Sequence, residues 1–162
     1  MPDHPQAIES LRAKLQGTNI NAQTLLATDY LNHLNEPIML FEMVADVPEL
    51  LEELAAWKPK SYVDHFADST FTDKDLAIEA YAIAPAIYKE AFDETIDSAK
   101  QCIATAIEAM STLSEQNRID EVRVVATEVS EILGSLIGKA SSIINGQVDR
   151  VDQSEIDKIM GS

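Results

Sequence analysis

The chain has little of what would tie it to several large functional classes. A single cysteine, Cys102, rules out an internal disulfide and fits a reducing compartment. With five glycines and six prolines in 162 residues, no stretch reads as a glycine-rich phosphate loop or a proline-rich linker. No window approaches the long uncharged apolar run of a membrane-spanning helix. The first residues, Met1-Pro2-Asp3-His4, lack the basic start and apolar core of a secretion signal, so the expected location is the cytoplasm. Positive charge is scarce too: 12 Lys and Arg face 28 Asp and Glu, a formal net charge of -16. Such a charge repels nucleic-acid phosphates and anionic membranes, and it attracts a basic protein face. No Cys-x-x-Cys pair occurs, and no Ser, Thr or Cys sits in a recognisable nucleophilic context; Cys102 has no basic neighbour nearer than Lys100.

What remains is helical periodicity. The chain is 46% hydrophobic and 25% charged, and no segment sustains the two-residue alternation of strands. The expected fold class is all-α. Phe92, Ile96, Ala99, Ile103, Ala106, Met110 and Leu113 recur in steps of four and three, as do Val122, Ala126, Val129, Leu133, Leu136, Ala140 and Ile143. Joined across the polar Ser114 to Asp120, they predict a long antiparallel helical hairpin at about 86–116 and 119–145. Val125, Ile132, Ile137 and Ile144 widen the second stripe, so more helices must cover it. Either the first half of the chain folds over this face as a bundle, or a second copy completes it as a homodimer.

The first half reads as shorter helices. Pro5 to Gln16 is amphipathic through Ile8, Leu11 and Leu15 and stops at Gly17. A second helix is expected from Asn21, with a bend or restart at Pro37, and Asp46 is expected to cap a third, with Pro48 in its first turn, that ends near Trp57. Ser61 to Ala67 makes a further turn of helix, and a segment from Thr72 must bend or restart at Pro85. Met39, Met43 and Met110 occupy apolar positions and are expected as core filling, with Tyr81, Tyr88 and Phe92 as packing. Asn145-Gly146-Gln147 reads as a helix stop, dividing a bundle domain, 1–145, from a linker and C-terminal helix, 146–162.

That final segment carries the most specific pattern. Asp152 followed by Glu155 forms a capping box, and Ile156, Ile159 and Met160 fall on one face of a helix barely two turns long. So short a helix is marginal alone and needs a groove to lie in. Burying three such side chains supplies on the order of 5 to 9 kcal/mol gross, and ordering the segment removes roughly 2 to 5, which leaves about micromolar to millimolar affinity. The run Gln153-x-Glu155-Ile156-Asp157-x-Ile159-Met160 resembles the segment by which the flagellar switch protein FliM binds the chemotaxis response regulator CheY. It is also similar in character to the terminal acidic-apolar helix of the chemotaxis phosphatase CheZ. The likeness covers about eight residues, with Ile159 and Met160 in place of two leucines and Asp152 in place of a serine. It implies a CheY-like response regulator as partner, bound through Asp152, Gln153, Glu155, Ile156, Asp157, Ile159 and Met160.

A CheZ-type phosphatase carries an acidic residue and, one helical turn later, a glutamine that places water against the regulator's aspartyl phosphate. This chain has that spacing at Asp97 with Gln101 and again at Asp149 with Gln153. In the heptad frame Asp97 and Gln101 point away from the hairpin seam, so they are the candidate catalytic pair. No cofactor of the chain's own is expected; any Mg would sit on the partner regulator. Two further readings stay open: a noncatalytic helical adaptor, and a metal-binding bundle with a structural tail. His33, with Asp29 one turn before it and Glu36 just after, and His65, next to Asp64, could hold iron in a bundle. Neither has the Glu-x-x-His spacing of di-iron sites. Histidines hydrogen-bonded to those carboxylates are the plainer expectation, and no metal ligand is assigned.

Overall fold

A computed structural model describes residues 5–147. Among these residues seven α-helices form the fold: α1 (Pro5–Lys14), α2 (Leu31–Asp46), α3 (Leu51–Ala56), α4 (Tyr62–Ala67), α5 (Lys74–Ala82), α6 (Ala86–Glu115) and α7 (Ile119–Ile144). Single 3-10 turns, Thr28–Tyr30 and Pro48–Leu50, lead into α2 and α3. No strand occurs among the described residues; an isolated bridge joins Ile20 to Ala27.

The long hairpin forms as its periodicity dictates. Phe92, Ile96, Ala99, Ile103, Ala106 and Met110 are buried along α6, and Val122, Ala126, Val129, Leu133, Ala140 and Ile143 along α7. The turn between them is a Schellman stop: Asn117 takes a left-handed conformation (φ 59°), the Arg118 N–H donates to Leu113 O at 2.9 Å, and the Asn117 N–H donates to Ser114 O at 3.0 Å. Asparagine tolerates that conformation better than most residues with a side chain. The expected stop at Asn145-Gly146-Gln147 repeats the device, with Gly146 at φ 84° and the Gln147 N–H on Ser142 O at 3.1 Å. A Cβ at position 146 would also meet the tip of the Gln23 side chain at 2.8 Å, which that flexible chain can relieve by turning aside, so it is the left-handed backbone that calls for glycine there.

The hairpin's apolar face is covered from within the chain. α7 packs against both α6 and α2, and α3 lies against α6. α2 contributes Leu31, Leu34, Pro37, Phe41 and Val44 as its buried face. Elements from Ile8 to Ile144 feed one continuous core.

The first half departs from expectation in several places. No helix begins at Asn21. Its Oδ1 accepts from the Gln23 and Thr24 amides at 2.8 and 2.9 Å, and Leu25 turns left-handed at φ 61° while fully buried. An Asx turn of this kind competes with the helix for the same amides. Pro37 does not restart a helix; α2 runs through it, because burial of its face against the hairpin outweighs one missing N–H bond. Asp46 ends α2 and caps nothing; Val47 holds the cap position before Pro48. α1 ends at Lys14, two residues earlier than expected. Ser61 does cap α4, accepting from the Asp64 amide at 3.1 Å, and α5 and α6 are separate helices divided at Pro85. Val125 and Ile137 are half-buried and Ile144 is buried, but Ile132, placed by its spacing beside the stripe, faces outward.

Candidate functional site

α6 carries the candidate pair as the heptad frame requires. Asp97 and Gln101 are both exposed, one turn apart. Neither side chain hydrogen-bonds another described residue, and their surroundings differ. Gln101 borders an open groove of about 490 Å³ between α6 and α7, with Ser98, Cys102, Thr105, Val125 and Val129. Asp97 lies toward Tyr30 and Lys100: its negative charge adds to the burial that raises the Tyr30 hydroxyl, and it partly offsets the burial that lowers Lys100. Burial alone pushes the Cys102 thiol up, which keeps it in its unreactive form. The second pair, Asp149 with Gln153, and the partner-binding residues Asp152, Gln153, Glu155, Ile156, Asp157, Ile159 and Met160 lie outside the described residues.

Beside Asp97 the fold assembles a cluster of rings that periodicity does not predict. Tyr30, at the entry to α2, contacts Tyr62 and His65 of α4, Phe92 of α6 and His33 of α2, at centroid distances of 5.3 to 6.3 Å. Tyr62 stacks on Tyr81 of α5 at 4.3 Å. Each hydroxyl is spent on a specific partner: Tyr30 donates to Lys60 O at 2.6 Å, Tyr62 accepts from the Ala27 amide at 2.9 Å, and Tyr81 donates to Asp93 Oδ1 at 2.8 Å. Burial raises all three phenols far above their ordinary range. Burial also raises the Asp93 carboxyl, against the pull of the Tyr81 hydrogen bond and of Lys89.

The histidines belong to this cluster. His33 Nε2 accepts from the Lys60 amide at 2.8 Å, which makes the ring neutral with its proton on Nδ1. His65 Nε2 lies 3.0 Å from Asp29 Oδ2. The carboxylate partner expected for His33 therefore serves His65, and a backbone amide serves His33. A ring nitrogen that accepts an N–H bond has no lone pair left for a metal. Among the described residues no three His, Cys, Asp or Glu side chains converge as a metal site. Trp57 lies against His33 at a centroid distance of 4.9 Å with its ring tilted by 30°, and its buried Nε1 has no acceptor among the described residues. The one trace of this cluster in the sequence is that all nine aromatic residues lie between Tyr30 and Phe92.

A pH test follows from His33. Burial first, then the charges of His65, Lys100 and Lys60, lower its pKa from 6.5 to about 4. Between those values the unfolded chain binds a proton that the folded chain refuses. Stability from this group is complete above pH 6.5 and is lost as pH falls toward 4. Discounted for partial exposure, the loss should be about 1–2 kcal/mol. His33→Gln keeps an acceptor for Lys60 and should flatten the change in urea midpoint between pH 7 and 5. An NMR titration should find the His33 ring still neutral at pH 5.5; a protonated ring there contradicts the assignment.

The outward surface of α2 corrects another expectation. Met110 is buried, but Met39 and Met43 are 59% and 47% exposed and are not core filling. They line a second groove, of about 500 Å³, with Asn32, Asn35, Glu36, Leu40 and Glu53. No helix among the described residues is long and apolar enough to cross a membrane. Compared with protein-family models, curated proteins and solved structures, the chain matches none.

Proposed function

We propose that this protein is a motility-signalling component that binds a CheY-like response regulator through residues 152–160. The observation that carries this reading is the Gln153-x-Glu155-Ile156-Asp157-x-Ile159-Met160 pattern behind its Asp152 cap. Three apolar side chains on one face give a partner helix its anchors, and the flanking carboxylates suit a basic docking face. The net charge of -16 adds long-range attraction toward such a face.

Dephosphorylation is the enzymatic extension of the same reading and rests on Asp97 and Gln101. The Gln101 amide can accept from and donate to one water, aligning its oxygen for attack on phosphorus. The bond from phosphorus to the regulator's aspartate then breaks, inorganic phosphate leaves, and the carboxylate is restored. Asp97 would hold a cationic side chain of the partner, so that positioning supplies most of the effect. The exposure of both residues on one turn of α6 supports this extension. A noncatalytic adaptor shares the docking step and lacks the hydrolytic one.

The test is a titration of the full-length protein against a CheY-like regulator, with and without a phosphoryl mimic. Ile156→Ala combined with Ile159→Ala should weaken binding by at least about tenfold, given the apolar area removed. Unchanged affinity would refute the docking segment. Gln101→Ala should keep binding and abolish any acceleration of phosphate release. An adaptor would give no acceleration to lose.

A further inference from the structure

The exposed methionines of α2 have no role in the docking or the chemistry proposed above. Met39 and Met43 lie at i and i+4 on the outward side of the helix, and Val47, 45% exposed, follows just past its last turn. From residue 39 to residue 47 is about 12 Å along a helix, roughly two turns of a partner helix laid against it. Methionine is flexible and polarisable, so a surface built of it adapts to varied apolar side chains. Asn32 and Asn35 line both this groove and a polar cleft between α2 and α7.

The rim decides which partner suits this groove. Glu36 and Glu53 line it, and neither forms an ion pair with another described residue. From Leu31 to Ala56 the chain carries six acidic residues, Glu36, Glu42, Asp46, Glu49, Glu52 and Glu53, and no Lys or Arg. An apolar strip walled by uncompensated carboxylates complements a helix with apolar side chains on one face and Lys or Arg beside them. The alternatives fit poorly. Residues 152–160 bring Asp152, Glu155 and Asp157 against one lysine, and a second copy of the chain brings another -16 charges.

We infer that the groove along Met39 and Met43 is a second docking surface, and that its occupant is a cationic amphipathic helix of another protein. The surface is separate from the C-terminal segment, so the chain would join two partners. Its carboxylates raise the encounter rate and fix the orientation, and the methionines supply most of the affinity.

The test uses the full-length protein and a fluorescein-labelled peptide, LKKLLKLLKKLLKL, whose leucines gather on one helical face. The control is a peptide of the same composition whose leucines are dispersed around the helix. Polarisation should show the amphipathic peptide binding about tenfold or more tightly than the dispersed one; equal affinities would mean charge attraction alone and overturn the proposal. Met39→Ser with Met43→Ser should weaken binding about tenfold, whereas Val124→Ser with Ile132→Ser, an equally exposed pair on α7, should leave it unchanged. Equal losses from the two pairs, or none from the methionine pair, would overturn the assignment. Glu36→Gln with Glu53→Gln should also weaken binding and shallow its salt dependence, and it serves as the deciding variant if the serine pair fails to fold. Displacement of the peptide by a synthetic copy of residues 148–162 would make the chain's own C-terminus the occupant and refute a foreign one. Ile156→Ala with Ile159→Ala should leave peptide binding intact, so this surface and the regulator-docking segment fail independently.

Discussion

Replacing Phe92 by alanine is expected to lower the free energy of unfolding by about 3–5 kcal/mol, a large share of the 5–15 kcal/mol typical of a domain. Phe92 is 1% exposed on α6, where it meets Tyr62 edge-on at 5.8 Å and Tyr30 at 6.3 Å. The ring therefore joins the hairpin to both α4 and the entry of α2. Its neighbours have little freedom to close the cavity. Tyr30 is held by its bond to Lys60 O, Tyr62 by the Ala27 amide, and Tyr81, stacked on Tyr62, by Asp93. A void that cannot collapse costs the most, so the loss should fall in the upper half of that range. Phe92→Leu refills much of the space and should lose clearly less. Urea unfolding followed by circular dichroism measures both; equal losses from the two variants would mean that the ring's shape matters little there.

Thr24→Val is expected to cost about 1–3 kcal/mol although it conserves volume. Thr24 is fully buried, and its hydroxyl donates to Ile144 O at 2.6 Å, at the very end of α7. The Thr24 Oγ1 atom also accepts from the Leu26 amide at 3.3 Å. Valine would remove this partner from a carbonyl and an amide that water does not reach. Thr24→Ser keeps the hydroxyl and should lose less than about 1 kcal/mol. Faster hydrogen exchange at Leu26 in the valine variant, and not in the serine variant, would locate the loss in this bond. A valine variant as stable as the parent would show that the bond merely accompanies the packing. The position matters because this hydroxyl ties the irregular loop of residues 21–27 to the end of α7.

Legibility varied with the range of the interaction. The hairpin was readable because each stripe has seven residues in register, and a wrong face would expose all of them. Its turn was readable from the polar run Ser114 to Asp120 and its end from Asn145-Gly146-Gln147; that Asn117 takes the left-handed position of the turn is seen only in the structure. Asn21 to Leu26 misled because Leu26, Tyr30 and Leu34 recur in steps of four, while the decisive force is a local bond from the Asn21 side chain. The candidate pair was readable as far as spacing goes: Asp97 and Gln101 share one exposed turn. That Asp97 faces Tyr30 and Lys100 while Gln101 borders a separate groove depends on which helices flank α6, and that is a tertiary fact.

Met39 and Met43 show the same limit from the other side. Periodicity places an apolar residue on a stripe, and only the width of the neighbouring helix decides whether the stripe's margin is covered. α2 buries Leu34, Pro37, Phe41 and Val44 and leaves its methionines in the open.

By itself, the sequence determined the all-α class, the long hairpin and its turns, and the excess of negative charge, because each depends on neighbours within a few residues or on a simple sum. Tertiary structure alone decided that α2 covers α7, that His33 faces a backbone amide while His65 takes Asp29, and that rings from α2, α4, α5 and α6 meet beside Asp97. Those contacts join residues 19 or more positions apart, chosen by how irregular surfaces fit once the helices exist, and no local period encodes that fit.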